Sequence, residues 1–320
     1  MTTIAVFGNW ASMPSADTLR AALPEDRIVA VQGEGGDELG PAAEADAAFG
    51  GFSGERLRAV LAATPKLRWV HTFSAGVDRH VPELASYERV ILTNNTGAYD
   101  VPIAEHVIAM MFAAAKRVPE HLAAQARHEW QREVPHAELR DATLVILGMG
   151  SIGSELARMA SGLGMPVIGI RRDPSRPAPG AERIVPPDRF AEVAREADYL
   201  AVTAALTPRT RGMVSAEILG VLKPTAWVIN IARGPIVDEA ALAAALAERR
   251  IGGAALDVFE TEPLPASSPL WSLDNAILTP HVSNSSPRVR ERSLALVTEN
   301  VRRFKAGESL LNTVDRTVGY

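Results

Sequence analysis

Thr143-Leu144-Val145-Ile146-Leu147-Gly148-Met149-Gly150-Ser151-Ile152-Gly153 decides how the rest of the chain is to be read. An apolar strand-like run ends in G-x-G-x-x-G, and residues 155–163 then carry helical spacing. The bare glycine pattern is weak evidence, but between a buried strand and a helix it is a specific signal. Gly148 permits the tight turn, Gly150 lets the backbone approach a pyrophosphate, and Gly153 lets helix and strand pack closely. The amides of Ser151 and Ile152, at the helix start, would hold the anion.

Working outward, strands and helices alternate on both sides of this turn. Before it, strand patterns occupy residues 3–7, 27–31, 45–49, 67–73 and 90–93, with helical stretches at 15–23 and 54–63. After it they occupy 142–147, 166–170, 199–203, 226–231, 254–258 and 276–278. Such alternation predicts βαβ units and parallel sheets. Six strands in the second series suit a doubly wound nucleotide domain. Asp100 and Pro102 open an apolar helix where the chain is expected to cross between domains. The amphipathic stretch 287–305 has no strand of its own to cover and is expected to return to the first domain. The expected architecture is therefore α/β with two doubly wound parallel-sheet domains. A dinucleotide-binding Rossmann-type domain, 99–285, is inserted into a flavodoxin-like substrate domain made of 1–98 and 286–320.

Composition bounds the function. The 320 residues carry a formal charge of −5 without a basic block, so non-specific nucleic-acid binding has no electrostatic support. There are no cysteines, which excludes disulfides, thiolate metal sites and a cysteine nucleophile. The seven histidines include no H-x-x-x-H metal spacing, and no metal is expected. His71, His80, His106, His121, His128 and His136 are assigned structural or surface roles, with His71 and Phe73 also considered as pocket-lining. No G-x-S-x-G nucleophile turn occurs. The N-terminus opens directly into a strand and no apolar run is long enough for a bilayer, so the expectation is a cytoplasmic protein with no membrane partner.

The end of the strand after the glycine turn selects the cofactor. An acidic residue about 20 positions beyond the glycines would bind ribose hydroxyls. Here the sequence reads Gly169-Ile170-Arg171-Arg172-Asp173. Guanidinium groups at Arg171 and Arg172 suit a 2′-phosphate, so NADP(H) is favoured. Asp173 serving the ribose of NAD(H) is the other reading, and it stays open.

Three later strands end in polar residues: Asn230-Ile231-Ala232-Arg233-Gly234, Asp257-Val258-Phe259-Glu260-Thr261-Glu262-Pro263, and Thr279-Pro280-His281-Val282-Ser283. Ligands of doubly wound sheets bind beyond the carboxyl ends of strands. Arg233, Glu262 and His281 are thereby brought towards one place, with Glu260 a rival to Glu262.

These segments closely resemble the D-isomer-specific 2-hydroxyacid dehydrogenase family, in its glyoxylate/hydroxypyruvate reductase-like form. Further matches are Ser74-Ala75-Gly76-Val77-Asp78, Asn95-Thr96-Gly97, Ala104-Glu105-His106 and Leu206-Thr207-Pro208. The resemblance implies hydride transfer between NAD(P)H and a small 2-keto acid, giving a D-2-hydroxy acid in a cleft between domains. It implies Arg233 as the substrate carboxylate anchor, His281 as acid/base and Glu262 as the carboxylate behind it. Substrate contacts are implied at Ser74, Ala75, Gly76, Arg233 and His281. Cofactor contacts are implied at Gly148, Gly150, Ser151, Ile152, Gly153, Arg171, Arg172, Thr203, Ile231, Ala232, Arg233, Asp257 (facing the nicotinamide carboxamide) and His281. A homodimer through the nucleotide domain is implied as well. Two segments depart from the usual pattern: Thr203-Ala204-Ala205, where an apolar or histidine-containing run ending in proline is common, and Val282-Ser283-Asn284-Ser285, where glycines are common.

Glu262 argues against the formate dehydrogenases of the family, which pair their histidine with glutamine. From another class, a nucleotide-sensing corepressor-like binding protein of the same fold keeps these features too. Turnover of a nicotinamide cofactor with keto acids separates it from an enzyme. A methyltransferase would have no use for the three strand-end residues.

Overall fold

The computed structural model describes residues 1–8, 13–31 and 36–319. Contact density divides the chain into two units, Met1–Tyr99 with Ser285–Tyr320, and Asp100–Asn284.

The first unit is built on strands β1 (Thr3–Phe7), β2 (Arg27–Val31), β3 (Ala47–Gly50), β4 (Trp69–Thr72) and β5 (Ile91–Thr93). All pairs are parallel, in the order β2-β1-β3-β4-β5. That is the flavodoxin-like order 2-1-3-4-5. Interior strands of a parallel sheet are covered on both faces, and β3 and β4 are buried at every position, the polar His71 and Thr72 of β4 included. Helices α1 (Ala16–Ala22) and α2 (Gly54–Ala63) begin behind serine caps, Ser15 accepting from the Thr18 amide and Ser53 from the Arg56 amide.

In the second unit the helices are α3 (Asp100–Ala115), α4 (Val118–Ala126), α5 (Ser151–Gly162), α6 (Phe190–Ala194), α7 (Ala216–Val221) and α8 (Glu239–Ala247). Its strands are β6 (Leu144–Leu147), β7 (Val167–Ile170), β8 (Arg183–Val185), β9 (Tyr199–Val202), β10 (Trp227–Asn230), β11 (Gly253–Leu256) and β12 (Ala276–Leu278). The parallel sheet runs β12-β11-β10-β9-β6-β7-β8. In local numbering this is the Rossmann order 3-2-1-4-5-6 with a seventh strand added. The sequence patterns yield six of these strands. The one they miss, β8, is a three-residue edge strand opening on an exposed arginine, too short to show alternation. The strand order reverses at β6, which pairs with both β7 and β9, so the glycine turn leaves the sheet at the switch point where such folds bind nucleotides.

The closing helix, α9 (Val289–Ala306), belongs to the first unit and ends at Gly307, whose φ of 70° is left-handed. Buried Asn300 exchanges two hydrogen bonds with Leu311, and Phe304 packs its ring 5.3 Å from that of Trp69. Thr313 then bridges antiparallel to Thr93 of β5. Among the described residues no helix is long and apolar enough to cross a membrane.

Candidate active site

The glycine turn is fixed by packing at two positions and open at the third. A Cβ on Gly148, where φ is 108°, would stand 2.5 Å from both the Cα and the amide nitrogen of Ala204. One on Gly153 would collide with the Gly148 carbonyl oxygen. Around a Cβ on Gly150 none of the described residues lies within 4 Å. Gly150 is the N-cap of α5, whose first turn, entered by Ser151 and half-buried Ile152, holds no acidic residue. The first amides of a helix lack intrahelical acceptors and carry the positive end of its dipole. Amides of this kind are what an anionic group requires. Thr203 ties the turn to the end of β9 by donating to the Gly148 carbonyl at 2.6 Å. The Ser151 hydroxyl donates to Asp100 at 3.0 Å, anchoring the start of α5 to α3.

Arg171 is the first residue beyond β7. Its Nε donates to the Asp173 carbonyl at 2.8 Å, while its Nη2 is buried with no hydrogen-bond partner among the described residues. A buried donor without an acceptor is costly, and a phosphate oxygen would satisfy it. The Asp173 carboxylate is occupied within its own turn, accepting from the amide and hydroxyl of Ser175, and these bonds hold its carboxyl below the usual range. Arg172 is exposed beside it. The glycine cradle and the orphaned Arg171 nitrogen both fit a dinucleotide carrying an additional phosphate.

The three polar strand ends come together in the second unit. After β10, the Asn230 side chain donates to the Arg233 carbonyl and accepts from the Ala232 amide, turning the chain so that Ile231 is buried while Ala232 and Arg233 are half-buried. Arg233 Nη1 donates to the Ala232 carbonyl at 2.8 Å. Gly234 lies so close to the backbone of Phe259 and Glu260 that no side chain fits, which locks the arginine turn against the loop after β11. In that loop Glu262 accepts the Phe259 amide on Oε1 at 3.0 Å and faces His281 Nδ1 with Oε2 at 2.8 Å. The residue that meets the histidine is thus Glu262; Glu260 gives its amide to Glu239. His281 remains partly open, its side chain 41% exposed.

His281 adopts φ 54°, a left-handed conformation unusual for a side chain larger than glycine. The surroundings impose it. The His281 amide donates to the Asp257 carbonyl at 2.9 Å. The Asp257 carboxylate, 1% exposed, accepts from the Thr279 hydroxyl at 2.6 Å and from the amides of Val282 and Ser283 at 2.9 Å each. The resemblance sets Asp257 against the nicotinamide; in the structure its oxygens hold the histidine loop. Thr279, quoted only as the start of the segment holding His281, and His106, assigned a structural or surface role, are the residues here whose part the sequence did not reveal.

Ser74, Ala75 and Gly76 form a half-buried turn of the first unit. Asn94 Nδ2 donates to the Ala75 carbonyl at 2.8 Å, and the Asn95 amide to the Ser74 carbonyl at 3.1 Å. His71, considered as pocket-lining, is fully buried on β4 between the rings of Phe49 and Phe73, with Nδ1 bonded to Thr93. Phe73 is 4% exposed. Both belong to the core of this unit. Among the described residues no group of three or more histidine or acidic side chains is arranged to hold a metal ion.

Residues 108–283 match the model of the D-isomer specific 2-hydroxyacid dehydrogenase NAD binding domain. The chain is 35% identical over 261 residues to a D-3-phosphoglycerate dehydrogenase of Methanocaldococcus jannaschii, a match covering 81% of this chain but only 49% of that longer protein. It is 36% identical over 267 residues to a glyoxylate reductase of Korarchaeum cryptofilum, covering 81% of this chain and 79% of the relative. A crystal structure of an NADPH-dependent glyoxylate/hydroxypyruvate reductase from Sinorhizobium meliloti, in complex with NADP and sulfate, superposes with a TM-score of 0.87 at 28% identity over the whole of both chains. The chain belongs to the D-isomer specific 2-hydroxyacid dehydrogenase family. It is an NAD(P)-dependent oxidoreductase acting on CH–OH donors, of the kind that interconverts keto acids and hydroxy acids.

Proposed function

We propose that the protein is an NADP(H)-preferring reductase of small 2-keto acids, with His281 as acid/base and Arg233 as carboxylate anchor. The observation that carries this is the 2.8 Å pair of His281 Nδ1 and Glu262 Oε2, at loops following adjacent strands of the nucleotide-binding sheet. The reductases of Korarchaeum cryptofilum and Sinorhizobium meliloti carry glyoxylate, and in the latter case NADPH, in their names, which supports the substrate and cofactor classes.

A bound dihydronicotinamide supplies the hydride that reaches the carbonyl carbon. What the chain must supply is orientation and a proton. The planar fork of Arg233 suits a substrate carboxylate. With a carboxylate facing Nδ1, the imidazole carries a proton there and directs Nε2 outward. Protonated, it gives the Nε2 proton to the oxygen on which charge develops, while Glu262 holds the ring in place through Nδ1. The product is the 2-hydroxy acid, and in the reverse direction Nε2 takes the hydroxyl proton. Arg171 and Arg172 are the proposed 2′-phosphate ligands, and the amides at Ser151 and Ile152 receive the pyrophosphate.

The test is nicotinamide absorbance with purified protein, NADPH or NADH, and 2-keto acids from glyoxylate to phenylpyruvate. NADPH oxidation well above NADH supports the proposal, and the best acid sizes the pocket. No oxidation by folded protein refutes it and favours the nucleotide-sensing alternative. A homodimer formed through the nucleotide-binding unit is also proposed. It is supported by exposed Leu122 and Trp130, 58% and 91% accessible in the single chain, and a monomer by light scattering would refute it.

A further inference from the structure

A hydrogen-bond chain enters the histidine loop from outside it. His106, on α3, places Nε2 3.3 Å from the Thr279 hydroxyl oxygen. That hydroxyl has one proton, and the 2.6 Å contact with Asp257 Oδ1 uses it, because a carboxylate can only accept. Towards His106 the Thr279 oxygen must therefore accept, so His106 donates from Nε2. Burial lowers the pKa of His106, partly opposed by the charge of Asp257, which leaves the imidazole neutral near pH 7 with its single proton on Nε2. From Asp257 the chain divides to the amides of Val282 and Ser283, while the Asp257 carbonyl receives the amide of His281. One buried carboxylate thus grips the loop on both sides of His281, and His106 is its outermost anchor.

We infer that His106 is a positioning residue: by donating to Thr279 it orients the Thr279–Asp257 clamp that holds His281 in its left-handed conformation facing Glu262. The catalytic consequence rests on His281 being the acid/base; the clamp itself does not. A His106→Leu protein retains bulk but loses the donor. His106→Gln keeps an N–H near the same place. Thr279→Val removes the hydroxyl with little change of shape.

Hydrogen exchange of the Val282 and Ser283 amides, read without substrate or nucleotide, is expected to quicken about 10-fold in His106→Leu and in Thr279→Val, the scale of one lost buried hydrogen bond. His106→Gln should return it to within about 3-fold of wild type. In parallel kcat should fall about 10-fold in His106→Leu with KM for NADPH unchanged, and recover in His106→Gln. Unchanged exchange in both His106→Leu and Thr279→Val overturns the clamp. Quickened exchange with unchanged kcat, or equal losses in the leucine and glutamine variants, overturns the positioning role. Normal turnover in His281→Ala would remove the acid/base assignment while leaving the exchange result standing, so the two failures are distinguishable.

Discussion

Two glycines of one turn, two residues apart, should respond to the same substitution in opposite ways. Gly148→Ala adds a methyl group 2.5 Å from two backbone atoms of Ala204, at φ 108°, a region costly for any residue with a Cβ. Backbone strain of roughly 1–3 kcal/mol and overpacking of roughly 1–3 kcal/mol together give about 2–6 kcal/mol. At roughly 2–4 °C per kcal/mol for a unit of this size, the melting temperature of the unligated protein should fall by about 4–24 °C. Gly150→Ala adds the same methyl group where none of the described residues lies within 4 Å, at φ −82°. Its melting temperature should stay within about 2 °C of wild type, as for a surface substitution. The methyl group stands instead where a pyrophosphate would approach the α5 amides, so the Kd for NADPH should rise at least ~10-fold, or 1.4 kcal/mol. Differential scanning fluorimetry reads the first effect and isothermal titration the second. A Gly150→Ala protein that binds NADPH like wild type would refute the assignment of this turn to the cofactor. A Gly148→Ala protein that melts with wild type would refute the packing argument.

Other outcomes follow from the same geometry. Arg171→Ala should raise the KM for NADPH about 10- to 100-fold, the value of one or two charge-assisted hydrogen bonds, and leave that for NADH nearly unchanged; equal effects on both cofactors would dismiss the 2′-phosphate role. His281→Ala should lower kcat by roughly 10²–10⁴ with nucleotide affinity kept, and Glu262→Gln should lower kcat less; near-normal turnover in the first removes His281 from the mechanism. Complete burial pushes the pKa of His71 down to about 3. In the unfolded chain it titrates near 6.5, so its contribution is neutral above that pH and destabilising as pH falls from 6.5 towards 3, because the unfolded state takes up the proton first. By pH 5 the loss is about 2 kcal/mol relative to pH 7. Denaturant titrations at the two pH values should show a smaller loss in His71→Asn, and identical losses would contradict the assignment.

Much of the candidate site is legible in the sequence, and the reason is local. The need for glycine at 148 and 153 arises from a turn between neighbouring elements, so the spacing G-x-G-x-x-G records it directly. Strand ends carrying Arg233, Glu262 and His281 are visible because a parallel sheet gathers its carboxyl ends on one edge, and the apolar strand runs show where those ends fall. The short edge strand Arg183–Val185 escaped because three residues, one of them exposed, have no period to read.

What the sequence by itself determined was the fold class, the glycine turn and the three polar residues at strand ends, because each follows from spacing along the chain. Only the tertiary structure decided that Glu262 and not Glu260 meets His281, that Asp173 is spent within its own turn while a buried nitrogen of Arg171 has no acceptor among the described residues, and that Asp257 grips the loop around His281 with His106 behind it. Those are contacts between residues up to 173 positions apart, His106 to Thr279 being the longest. Partner choice at such separations is set by packing and by which donors and acceptors are left over once the backbone is satisfied, and neither leaves a pattern in the order of amino acids.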